Sequence, residues 1–202
     1  VYVMDADGSN PINLTNNPAG DSMPTWSPDD DVIAFSSDRD DNVEIYTMDA
    51  DGSNPTNLTN HGAWDKDPSW SPDGSKILFL SDRCNLNCDI CVMDADGSNQ
   101  TNLNDKPDWD GEPVWSPDGS KIAFTYWYDG NFDIFVMDAD GSNPTSLTNS
   151  PDSADGSPAW SPDGSRIAFI SDSDIYVMDA DGSNQTRLTS LSAPVWSPSW
   201  QP

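Results

Sequence analysis

Seven residues, MDADGSN, stand at Met4 and return at Met48, Met93, Met137 and Met178, at intervals of 44, 45, 44 and 41 residues. Self-similarity at such a period constrains the fold more than any other feature. Each unit must be one supersecondary structure that buries its apolar face against its neighbours. Three further motifs keep the same phase. A turn motif reads PTWSPDD at Pro24, PSWSPDG at Pro68, PVWSPDG at Pro113, PAWSPDG at Pro158 and a broken PVWSPSW at Pro194. An apolar segment follows it as VIAFSSD, KILFLSD, KIAFTYW or RIAFISD. A second one, EIYT, DICV, DIFV or DIYV, leads into each later MDADGSN.

Each unit reads as four short strands. Strand A ends on the Trp of WSP. SPDG then turns the chain, with Pro near φ −65° and Gly in the left-handed region. Strand B is the IAF segment, alternating and rich in β-branched and aromatic residues. Strand C is IYVM, MDADGSN is a second turn, and strand D is the PTNLT segment. Four antiparallel strands in about 40–45 residues make a β-propeller blade. The acids agree. Of 35 acidic residues only Glu44 and Glu112 are glutamate, and the rest are aspartate, a turn former. A net charge of −27 and a pI near 4.1 repel phosphate backbones and anionic membranes. No nucleic-acid partner and no membrane insertion are therefore expected. No apolar run reaches the length of a membrane span.

WSPDGSKIAF, the SD after it, DIYVMDADGSN and the closing LT resemble the propeller repeat of the TolB translocation protein. Related blades occur in bacterial secreted proteins and in prolyl oligopeptidases. The resemblance covers essentially the whole chain. It implies an all-β propeller in one domain, residues 1–202, and an extracellular or periplasmic setting. It implies no reaction, because the fold is a scaffold of many uses. The TolB propeller has six blades. Here the repeats give five C–D hairpins, four A–B hairpins and one extra strand A near Trp196. The expected ring has five blades, closed by placing that strand with the C and D strands of Val1–Asn13. The chain opens in mid-pattern without an initiator Met, which points to processing or to a missing upstream region.

Two sets of carboxylates are candidate calcium ligands. The first lies in the DADG turns: Asp5, Asp7, Asp49, Asp51, Asp94, Asp96, Asp138, Asp140, Asp179 and Asp181. An EF-hand loop wants Gly at position 6 and Glu at position 12. These turns have Gly at position 4, and Asn16, Asn60, Asp105, Asn149 or Ser190 at position 12. A hairpin turn capped by Asp and Asn explains every letter, although paired carboxylates could still share a cation. The second set is Asp21, Asp65, Asp110 and Asp155, five residues before each repeated Trp. Strand A is innermost in a propeller, so these four would converge on the axis and recruit Ca2+ or raise one another's pKa. The alternative is that each caps the loop entering strand A. Leu191 interrupts the set in the fifth unit.

Other features carry weaker signals. Cys84 and Cys88 flank a short hairpin and are positioned for a disulfide, while Cys91 falls in strand C as a buried thiol. Sequons at Asn13, Asn57, Asn99 and Asn184 lie on the outer strand or its turn and are glycosylation candidates. His61 is the single histidine and there is no G-x-S-x-G elbow, so catalysis is not expected; a carboxylate-dependent hydrolase is the weakest alternative. Strand polarity puts the SPDG and DADGSN turns on one face and the variable B–C and D–A loops on the other. Trp64, Trp109, Tyr126, Trp127 and Tyr128 lie on the variable face, outside the repeat register. They either bind a protein or glycan ligand or cover the loop bases as extra core. The repeated Trp26, Trp70, Trp115, Trp160 and Trp196 read as packing. The function expected is a non-catalytic binding or scaffold module. The alternative is a subunit that self-assembles into an oligomer or filament through open strand edges.

Overall fold

The computed structural model describes every residue except 84–87, 105–107, 191–194, 196 and 201–202. Strands β1 (Tyr2–Val3) and β2 (Ile12–Asn13) form a two-stranded antiparallel sheet. Four blades follow, each a four-stranded antiparallel meander. Blade 1 holds β3 (Asp21–Trp26), β4 (Val32–Ser37), β5 (Glu44–Asp49) and β6 (Thr56–Asn57). Blade 2 holds β7 (Asp65–Trp70), β8 (Lys76–Ser81), β9 (Asp89–Asp94) and β10 (Thr101–Asn102). Blade 3 holds β11 (Asp110–Trp115), β12 (Lys121–Tyr128), β13 (Asn131–Asp138) and β14 (Thr145–Ser146). Blade 4 holds β15 (Asp155–Trp160), β16 (Arg166–Ser171), β17 (Asp174–Asp179) and β18 (Thr186–Arg187). No helix occurs among the described residues. The architecture is that of the expected five-bladed propeller, with the β1–β2 hairpin in the place of the C and D strands of the fifth blade; the expected closing strand A is not detected among the described residues.

Both turns form as the letters require. In SPDG the Ser71 hydroxyl donates to Asp73 at 2.6 Å and accepts the Lys76 N–H at 2.9 Å. Those hydroxyls, first among several donors, hold Asp73, Asp118 and Asp163 down to about 2. Asp30 takes the left-handed position at φ 61° where the other copies have glycine, which an Asp side chain tolerates. In the DADGSN turns the first Asp accepts from the Asn amide and the second caps the Ser N–H, as in Asn143 to Asp138 at 2.7 Å and Ser142 to Asp140 at 2.9 Å.

Strand B departs from the expected alternation. Ile33, Ala34 and Phe35, and their counterparts through Phe79, Phe124 and Phe169, are buried on consecutive positions. A neighbouring blade covers each face of the sheet, so both sides of strand B are core.

Strand A carries a bulge after its second residue in every complete blade. The bulged residues Met23, Asp67, Glu112 and Ser157 have φ between 51° and 57°. They line an axial cavity of about 850 Å³ together with the prolines that follow them. Ser197 and Ser199 line the same cavity. The indole N–H of Trp115 donates to the Ser69 carbonyl of the preceding blade at 3.3 Å. Trp200 makes the equivalent bond to Ala159 of blade 4 at 2.9 Å. The fifth repeated Trp is therefore Trp200, in the motif Pro198–Ser199–Trp200, which matches Pro68–Ser69–Trp70 letter for letter. The WSP pattern alone puts that place at Trp196, which lies outside the described residues. Among the described residues no strand ladder joins 197–200 to β1.

Neighbouring blades touch closely at the DADG glycines. A Cβ on Gly141 (φ 85°) would sit 2.5 Å from the Leu103 carbonyl oxygen of the blade before it. Gly52, Gly97 and Gly182 meet Leu14, Leu58 and Leu147 in the same way, at 2.7, 2.9 and 2.8 Å. Gly8 shares the left-handed conformation but meets nothing. Gly8→Ala should cost about 1–2 kcal/mol, the strain of the left-handed region alone. Gly141→Ala should cost about 3 kcal/mol or more, since backbone must also move. Urea unfolding of the two variants measures the difference directly.

The repeated tryptophans pack between blades, with one exception. Trp70, Trp115 and Trp160 are partly buried against core clusters that span two blades. Trp26 is 43% exposed, because the hairpin beside blade 1 offers it no strand B. Trp115→Ala should cost about 3–5 kcal/mol and Trp26→Ala far less, which thermal melts will show.

Candidate functional site

The four strand A aspartates do not meet at the axis. The bulge sends Met23, Asp67, Glu112 and Ser157 there instead. Asp21, Asp65, Asp110 and Asp155 are held at the joints between blades, each by its own partners. Asp21 pairs with Arg39 at 3.0 Å and Asp65 with Arg83 at 2.6 Å. Asp110, wholly buried, accepts from the Asn104 amide on both oxygens at 2.8 and 3.0 Å. Asp155 accepts from Ser153 at 3.4 Å. Among the described residues no three His, Cys, Asp or Glu side chains converge as a metal site. The turn aspartates are engaged within their own turns, and Asp94 and Asp138 also pair with Lys76 and Lys121 at 2.8 and 2.5 Å. Leu191 lies outside the described residues.

At the axis, burial and then the nearby Glu112 carboxylate push the Asp67 carboxyl up, against the pull of Lys66. Glu112 accepts from Ser157 N–H at 2.6 Å, Ser157 Oγ at 2.9 Å and Thr125 Oγ1 at 2.9 Å. Glu112 thus ties blade 3 to blade 4.

Asp110 is strongly perturbed. Burial above all, with the charges of Asp89 and Asp108, raises it from 3.8 to about 8, against the Asn104 amide and the Ile90 backbone. A carboxyl whose folded pKa is raised binds its proton more tightly in the native state. Its contribution to stability is complete below the unfolded pKa and is lost as the pH rises toward 8, at no more than about 1.4 kcal/mol per pH unit. Asp110→Asn should flatten this decline and leave the protein more stable than wild type near pH 8.5. Melting curves of both proteins at about pH 5 and pH 8.5 check it.

The aromatic residues gather on the loop face around blade 3. The β12–β13 hairpin runs two residues longer at its tip than those of blades 1 and 2, and its tip carries Trp127 and Tyr128. Phe132, which sequence reading missed, stands between two indoles, edge-on to Trp109 at 5.4 Å and to Trp127 at 4.7 Å. The Trp109 ring also lies over Gly111, where a Cβ would come within 2.7 Å of it. Trp109 is therefore half packed. Trp64 is 62% and Tyr128 55% exposed, so these two rings present the most surface. Tyr126 is buried; it packs on Phe135 at 5.1 Å, donates to Asp108 at 3.2 Å and is a wall of the hairpin rather than part of its surface. Spacing gave no sign of Phe132, because it lies in the added length of β13 that the C strands of blades 1 and 2 lack.

The remaining candidates fall in separate places. Cys84 lies outside the described residues, and with it the Cys84–Cys88 pairing. Cys91 is buried among Ala34, Phe79 and Met93. Asn13, Asn57, Asn99 and Asn184 lie on the outer rim, and Asn99 and Asn184 direct their amides to Asp94 and Asp179 at 2.6 and 2.7 Å. His61 Nδ1 accepts the Ala63 N–H at 3.1 Å, a loop contact.

Comparison with known proteins agrees with this architecture. A family described as the TolB beta propeller domain matches residues 1–108 and 85–202. No curated protein sequence matches. Among solved structures, putative TolB from Agrobacterium tumefaciens superposes with a TM-score of 0.81 at 27% identity, over 92% of this chain and 72% of that one. TolB from Acinetobacter baumannii gives 0.80 at 25%, over 96% of this chain and 49% of that one, so this chain spans about half of that protein. An oligogalacturonate lyase in complex with manganese shares the fold at 0.73 and 19% identity. With its family model matched over residues 1–108 and 85–202, the chain belongs to the TolB beta propeller domain family.

Proposed function

We propose that this propeller is a non-catalytic docking module that works outside the cytoplasm and meets a protein partner through its B–C and D–A loop face. One contrast carries the reading. The turn face is built of repeats whose carboxylates are engaged by their own serines, asparagines and lysines. The loop face differs from blade to blade and exposes Trp64, Trp109, Trp127 and Tyr128. Large rings with a polar edge, set among loops on a rigid scaffold, are the usual anchors of protein interfaces. The likeness to TolB propellers supports the extracytoplasmic setting. An acidic surface of net charge −27 keeps such a module from nucleic acid and favours partners with basic patches.

The test compares the two faces. A photo-crosslinking amino acid is placed at Trp127 or, on the turn face, at Asp96, and the protein is irradiated in its native cells. The reading expects a discrete crosslinked partner from position 127 and none from position 96. Crosslinks from position 96 alone would overturn it.

A second reading, self-assembly, is favoured by one patch. Tyr2, Met4 and Ile12 of the hairpin are all exposed, and among the described residues β1 pairs only with β2. Strand addition by a second copy would cover them. Light scattering across a concentration series should then show a dimer or larger species that Ile12→Lys disperses; a monomer at every concentration excludes it.

A further inference from the structure

Blades 1 and 2 solve the same problem in the same way. Each buries a strand A aspartate at a blade joint and brings an arginine to it from the end of strand B. Arg39 lies over Phe35 and Tyr46, its guanidinium carbon 5.2 and 4.5 Å from the ring centres, and pairs with Asp21 at 3.0 Å. Arg83 lies 5.5 Å over Phe79, pairs with Asp65 at 2.6 Å and donates to Gln100. Blade 4 supplies Arg187 from its strand D, bonded to Asp174.

Blade 3 keeps the receptor and lacks the arginine. Asp110 opposite Tyr126 corresponds to Asp21 opposite Ser37 and Asp65 opposite Ser81. Tyr128 then stands where Arg39 and Arg83 stand. Phe124 corresponds to Phe35 and Phe79, and Phe135 to Tyr46. Pro144 holds the place of Gln100, and Ser146 the place of Arg187. A cavity of about 330 Å³ opens here, lined by Phe124, Tyr126, Tyr128, Phe135, Pro144 and Ser146, with Asn104 at its floor. Asn104 in turn donates to the buried Asp110. Asp108 lies at the side, accepting from Tyr126. No arginine or lysine among the described residues pairs with Asp110 or Asp108.

We infer that this aromatic cavity of blade 3 receives the guanidinium of an arginine side chain from a protein partner, in the position that blades 1 and 2 fill with their own arginines. Ring faces attract a guanidinium, which stacks on them as a flat, weakly hydrated cation. Asp108 beside the rings adds a negative field of the right sign, and a cation seated in front of Asp110 would favour ionisation of that buried carboxyl. The inference deepens the docking reading and rests on it, since the cavity lies beside the Trp127 and Tyr128 tip.

The probe is N-acetyl-arginine amide, followed by aromatic proton shifts of Tyr126, Tyr128 and Phe135. Saturable shifts in the millimolar range are expected, as suits one side chain. N-acetyl-citrulline amide, the neutral isostere, should bind at least about tenfold more weakly, a loss of about 1.4 kcal/mol. Tyr128→Arg supplies the cation from within, as in blades 1 and 2; it should abolish probe binding and raise Tm by a few degrees. If that variant does not fold, Ser146→Arg copies blade 4 and should block the probe in its place. Equal binding of the citrulline analogue, or undiminished arginine binding in the arginine variants, overturns the inference. A crosslink at position 127 with no arginine binding would remove the ligand class and leave the docking reading standing.

Discussion

Contact between adjacent blades is the constraint on which the rest of this structure depends. No blade has a core of its own: strand B is buried on both faces, and one of those faces belongs to the next blade. The contact is close enough to admit backbone against backbone at the turn glycines, and an indole N–H reaches the neighbouring strand at Trp115 and Trp200. A turn glycine that looks like a local necessity is therefore also a packing residue. Gly8 is the exception that isolates the two roles, because it has the turn conformation without the neighbour.

The same joints hold the buried acids. A carboxylate placed between sheets must be matched by a cation, by donors or by a proton. The four complete blades use three different answers at equivalent places. Arg39 and Arg83 match Asp21 and Asp65, hydroxyls serve Asp155, and the Asn104 amide with a raised pKa serves Asp110. Divergence at this position leaves the backbone untouched, so it is where one blade can acquire a role its siblings lack. Blade 3 combines the missing arginine with a longer hairpin and a cluster of rings.

The axis repeats that logic on a smaller scale. A bulge in each strand A turns one residue inward, and these residues differ: Met23, Asp67, Glu112 and Ser157. Glu112 is engaged by blade 4 donors, while Asp67 stays close to it with its proton favoured by burial. Chemistry along the axis is set blade by blade, although the scaffold beneath is periodic.

What the sequence determined by itself is whatever recurs. The period gave the blade, the letters of SPDG and DADGSN gave the turns, and the count of hairpins gave five blades, because local backbone preferences and strand periodicity act over a few residues and need no distant partner. The family resemblance was legible for the same reason. Tertiary structure decided everything that depends on direction. The bulge, invisible in strand propensity, took the strand A aspartates away from the axis and put Asp67 and Glu112 there. The broken last repeat carried two candidate tryptophans, and only the indole bond to Ala159 picked out Trp200. Exposed and buried aromatics on the loop face could not be told apart by spacing either. Tyr126 and Tyr128 are two residues apart, yet one is a wall and the other a surface, since that depends on which side chains of β13 come to meet them.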